Sequence, residues 1–200
     1  MTSKSEINQP SLNARVSAVA LVAGSIAILV LAMQEHSLTP LRLMTLAINT
    51  FGVWAFCDEM GMRKPLNRAG FVAFVMAMFA RSATLMEPPS ASTGRYFMLY
   101  AFALMVAVLI WSVAFLHKQR ELKFAGTVGA LVSIAPILAL VFGHLALGAG
   151  AFFGIGALLA AVEGAAMNDY SVINAIDTIF ALWALVTAWF LWRGSIKSNA

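Results

Sequence analysis

Hydrophobic runs of membrane-spanning length follow one another along almost the whole chain, broken only by brief polar or proline-containing stretches. A helix needs about 20 apolar residues to cross a hydrocarbon core. By that ruler the pattern predicts seven helices, over residues 16–34, 42–57, 69–86, 96–116, 125–147, 149–167 and 171–192. Glu87-Pro88-Pro89-Ser90 is the clearest break, because consecutive prolines cannot continue a helix. Gly148, Ala149 and Gly150 separate the fifth and sixth runs, which implies a tight hairpin. The expected fold is all-α: a polytopic integral membrane protein, a bundle of about seven transmembrane helices with short loops. Residues 1–200 read as one transmembrane domain with a polar tail at 1–14. The first run is too long for a signal-peptide core and is expected to be retained.

Composition removes the soluble alternative. The chain is 61% hydrophobic and 11% charged, with mean hydropathy +0.85. Soluble domains carry about 25% charged residues, which cover their surface. The net charge of +4 does not point to nucleic acid, since no basic patch is interleaved with aromatics. The basic residues lie instead in short connections, where they orient membrane helices. With the N-terminus on one side, a seven-span map puts eight Lys and Arg on that side and five on the other. The expectation is a cytoplasmic N-terminus, an external C-terminus and a multi-pass position in a bacterial inner or plasma membrane. Trp111, Trp189, Trp192, Tyr96, Tyr100 and Tyr170 fall near span ends, as an interfacial aromatic belt would.

Charge at membrane depth is costly, about 2.5–3.5 kcal/mol per residue on insertion scales, so each such residue needs a partner, water or a function. Asp177 lies inside the last run. Helical spacing sets Asn174, Asp177, Thr178, Ala181, Ala184 and Ala188 along one stripe, opposite Ile176, Ile179, Phe180, Trp183, Val186 and Phe190. The small, polar stripe is expected to face the bundle. Glu163 lies near the end of the sixth run, where Gly156, Ala160 and Gly164 form a small-residue stripe suited to close helix approach. Asp58 and Glu59 end the second run, with Thr45, Asn49, Gly52 and Glu59 roughly on one face. The seven-span map gathers Asp58, Glu59, Glu163 and Asp177 in the cytoplasmic half, near Arg63, Lys64 and Arg68. That set is either a charge-neutralised rim or a cation or proton site. Arg81 is expected to snorkel outward or to pair with a carboxylate or headgroup. His144 near the outer end of the fifth run fits a hydrogen-bonded packing residue.

Several chemistries lack their residues. The lone Cys57 excludes an internal disulfide and a multi-cysteine metal site. The last run has no lysine for a retinal Schiff base. No H-E-x-x-H, G-x-S-x-G or Walker pattern occurs, and no bis-histidine pair suggests haem. No cofactor, metal or catalytic residue is assigned. The sequence therefore points to a transporter or channel for a small solute or ion, working through intramembrane carboxylates. Two alternatives stand: a structural or accessory subunit of a larger membrane assembly, and a membrane-embedded enzyme acting on lipid or quinone. The expected partners are the lipid bilayer and either further copies of the chain or a larger membrane complex.

Overall fold

The computed structural model describes residues 10–32, 39–86, 91–117, 122–134, 137 and 170–194. The regular structure among them is helical: α1 (Leu12–Ala32), α2 (Thr39–Met60), α3 (Pro65–Met86), α4 (Ala91–Leu116), α5 (Leu122–Ile134) and α6 (Tyr170–Trp192). Three stretches, Leu12–Leu31, Pro65–Met86 and Arg95–Leu116, are long and apolar enough to cross a membrane. α5 and the Ile176–Trp192 part of α6 are apolar but shorter. α2 has the length, but Arg42, Thr45, Asn49, Asp58 and Glu59 dilute its apolar character. The described helices are compatible with a membrane location and do not amount to seven spans. The predicted run 149–167 lies outside the described residues.

Local chemistry sets the helix ends. Ser11 caps α1, its Oγ accepting from the Ala14 amide at 3.0 Å. Gly61 ends α2 at φ 89°, the left-handed conformation that favours glycine. Asn67 locks that turn by donating to the Met60 and Gly61 carbonyls at 2.9 and 3.0 Å.

α1 lies between α2 and α6, α3 lies between α2 and α4, and α4 also reaches α6. On α1 the buried stripe is Ala14, Ser17, Ala18, Leu21, Gly24 and Ser25, a helical spacing of mostly small side chains. Small residues let backbones approach where lipid gives no hydrophobic drive between helices. Ser17 uses that closeness, donating to the Gly52 carbonyl of α2 at 2.7 Å. α5 seats on α4 in the same way: a Cβ built on Gly126 would lie 2.6 Å from the Ser112 carbonyl oxygen. The centre is aromatic. Phe56, Phe74, Trp111, Phe115, Phe180 and Trp183 form one cluster, with Trp111 stacked on Trp183 at 5.4 Å between centroids. Phe79, Val72, Ile26, Leu182 and Trp189 face outward, an apolar exterior suited to lipid.

The direction of α6 is set by its contacts. Asp177 meets Arg81 in the last turns of α3, Phe180 meets Phe74 at mid-helix, and Trp183 meets Phe56 and Phe115 near the ends of α2 and α4. α6 therefore runs antiparallel to α3 and ends where α1 begins. Pro10 and Gly194 lie at the same end of the bundle. The seven-span expectation, which places the two ends of the chain on opposite sides, is not matched by the described residues.

Two further expectations are corrected. Trp111 and Tyr100 are fully buried in the core and do not belong to an interfacial belt; Trp189 and Trp192, each 54% exposed, remain compatible with one. α6 does bury Ala181, Ala184 and Ala188, but it also buries Phe180 and Trp183 from the face expected to point outward. A helix inside a closed bundle meets neighbours on two sides, here α1 and the aromatic centre.

Candidate functional site

Three helices deliver a polar cluster to the half of the bundle where α1 and α3 end. α3 supplies Arg81, α4 supplies Tyr100 and α6 supplies Asp177. Arg81 Nη2 donates to Asp177 Oδ2 at 2.9 Å, and these side chains are 5% and 14% exposed. The Tyr100 hydroxyl donates to Asp177 Oδ1, so each carboxylate oxygen has its own donor. The Arg81 guanidinium also lies over the Tyr100 ring, 5.5 Å from its centroid. Arg81 Nη1 reaches Thr84 Oγ1 at 3.4 Å. Charge, hydroxyl and ring thus compensate one another where water is scarce.

α2 completes the surroundings from the other side. Arg42 donates through Nη2 to the Leu31 carbonyl at 3.1 Å and so caps the last turn of α1. Thr45 Oγ1 donates to the Leu41 carbonyl at 2.8 Å, and Asn49 Nδ2 donates to the Thr45 carbonyl at 3.0 Å. Asn49 fits only because Gly24 faces it; a Cβ there would sit 2.5 Å from the Asn49 amide. Between these groups is a cavity of about 30 Å³, lined by Arg42, Thr45, Asn49, Arg81, Tyr100 and Asp177 with apolar side chains such as Ile28 and Phe180. That volume admits roughly two waters. Asn49 Oδ1 and Arg42 Nε are buried without a hydrogen-bond partner among the described residues.

The structure divides the residues singled out from sequence. Asp177, Asn49 and Arg81 come together, and Arg81 pairs inward with a carboxylate instead of snorkelling. Asp58 and Glu59 lie at the opposite end. Asn13 Nδ2 donates to Asp58 at 3.1 Å and Ser11 Oγ donates to Glu59 at 2.7 Å. Their charges sit at the positive N-terminus of α1, where anions are favoured. A single cytoplasmic carboxylate set is therefore corrected: the set assumed that α6 starts where α2 ends. Thr178 is half-buried beside Asp177, and Asn174 lies in the first turns of α6. Glu163, His144 and the Gly156, Ala160 and Gly164 stripe lie outside the described residues. Among the described residues no cluster of three metal-ligating side chains occurs.

Arg42 and Tyr100 were not singled out as site residues from sequence. Tyr100 carried a usable signal, since a hydroxyl several residues inside an apolar run needs a partner at depth. Arg42 carried none, because a basic residue at a span end is ordinary. No protein-family model, curated protein or solved structure matches this chain.

Proposed function

We propose that the chain is a small membrane carrier or channel for a small solute or ion, and that the cavity beside the Arg81–Asp177 pair is its site. The observation that carries this reading is a small cavity in an otherwise apolar bundle, lined by two guanidiniums and a carboxylate together with apolar side chains. Two of its lining atoms, Asn49 Oδ1 and Arg42 Nε, have no partner among the described residues. Intramembrane ionisable residues of this kind commonly mark solute or proton paths. Asp177 is the carboxylate that must release Arg81 when a solute enters.

The proposed topology has an even number of crossings, six in its simplest form, with both termini in the cytoplasm. Among the described residues, assigning each Lys and Arg to the end reached by its helix puts six of nine on the side of the N-terminus. Only Arg42, Arg81 and Arg95 fall on the other side. This bias favours the side of the N-terminus as the cytoplasmic one.

The test is reconstitution of the purified chain alone into proteoliposomes, with swelling followed by light scattering in small neutral and charged solutes. Solute-selective swelling is the expected result. Impermeable vesicles, together with strict co-purification with other chains, would favour an accessory subunit.

A further inference from the structure

A guest must match the charge, size and unpaired groups of its cavity. The lining carries two permanent positive charges, Arg42 and Arg81, against one carboxylate, Asp177. Asp177 accepts from Arg81 through Oδ2 and from Tyr100 through Oδ1, and among the described residues no hydrogen bond joins it to Arg42. The Leu31 carbonyl at the end of α1 answers part of the Arg42 charge, but a helix C-terminus offers only about half an elementary charge. Arg42 Nε remains a buried donor with no partner among the described residues. Among the described residues the lining therefore carries two guanidiniums against one carboxylate, with Arg42 half-buried at its edge. A cation would worsen that balance. An anion would correct it.

Size narrows the class. Room for roughly two waters suits a guest of about three heavy atoms better than a sugar, an amino acid or a phosphorylated compound. We infer that the cavity binds one small monovalent oxyanion of formate size, held by Arg42 and Arg81 in competition with the Asp177 carboxylate. The inference deepens the carrier reading by naming its substrate class: Asp177 occupies the guanidinium of Arg81 when the site is empty and yields it when the anion arrives.

Binding to the detergent-solubilised chain tests this without requiring transport. Thermal unfolding is followed while sodium formate replaces sodium gluconate at constant ionic strength, gluconate being too large for the cavity. Wild type should show a saturable rise in Tm with formate. Arg42→Gln, at the edge of the cavity, should abolish that rise. Asp177→Asn, which removes the internal competitor, should half-saturate at a formate concentration at least tenfold lower. No difference between formate and gluconate in wild type overturns the proposal, as does a formate response that survives in Arg42→Gln. Formate binding without flux in vesicles would keep the anion site and remove the carrier. Flux of solutes without a formate-specific shift would keep the carrier and remove the anion site.

Discussion

Arg81 and Asp177, 96 positions apart in the chain, join α3 to α6 through one 2.9 Å charge-assisted hydrogen bond. Asp177 also accepts from Tyr100 of α4, so one carboxylate links three helices. The pair lies beyond the aromatic cluster and beside the cavity. It is at once a structural tie and the group best placed to change partners.

Removing one member of a buried pair leaves the other charge unanswered. Asp177→Ala and Arg81→Ala should each cost about 3–5 kcal/mol of stability. The double substitution Arg81→Ala with Asp177→Ala should cost clearly less than the two single losses added together, because it leaves neither charge behind. Denaturant unfolding in mild detergent measures all of these. Strict additivity would mean that the two side chains do not interact.

Gly126 tests the seat of α5 on α4. A methyl group there meets backbone, the Ser112 carbonyl oxygen at 2.6 Å and the Leu116 amide nitrogen at 3.0 Å, and neither can rotate away. Gly126→Ala should lower stability by about 1–3 kcal/mol, the usual cost of overpacking. The same unfolding measurement reads it, and an unchanged midpoint would place α5 farther from α4.

The five tryptophans should separate by depth in the bundle. Trp54, Trp189 and Trp192 are 49%, 54% and 54% exposed, while Trp111 and Trp183 are buried against each other. Brominated acyl chains should quench the first three and spare the other two. A variant carrying Trp54→Phe, Trp189→Phe and Trp192→Phe should therefore keep emission that resists quenching. Strong quenching of that variant would contradict the aromatic core.

All-helical architecture is legible in the sequence because apolar run lengths alone report it, and the predicted runs 16–34, 69–86 and 96–116 overlap α1, α3 and α4 closely. The shared face of α2 is legible in part: of Thr45, Asn49, Gly52 and Glu59, set at helical spacing, the first three are buried and Glu59 is half-buried at the helix end. What hydropathy cannot convey is direction. Placing α6 the wrong way round moved Asp177 to the end of Asp58 and Glu59 and hid its pairing with Arg81. Trp111 and Tyr100 misled for a related reason. An aromatic near a span end reads the same whether it anchors at the interface or turns into the bundle.

The termini offer an independent check of that direction. Reporter fusions following residue 194 and preceding residue 10 should both report the cytoplasm, given the bias of Lys and Arg to that end. Opposite reports would restore an odd number of crossings and break the antiparallel relation of α3 and α6.

Flux through Asp177→Asn tests the central claim most directly. Proteoliposomes loaded with isosmotic potassium formate and valinomycin report anion movement by stopped-flow light scattering. Cys57, fully buried, reports the fold, since it should stay unreactive to maleimide in the native protein. The account predicts that Asp177→Asn lowers formate flux at least tenfold while Cys57 stays protected, because the site then holds its anion and lacks the carboxylate that displaces it. Wild-type flux from the variant, with Cys57 still protected, would contradict the account.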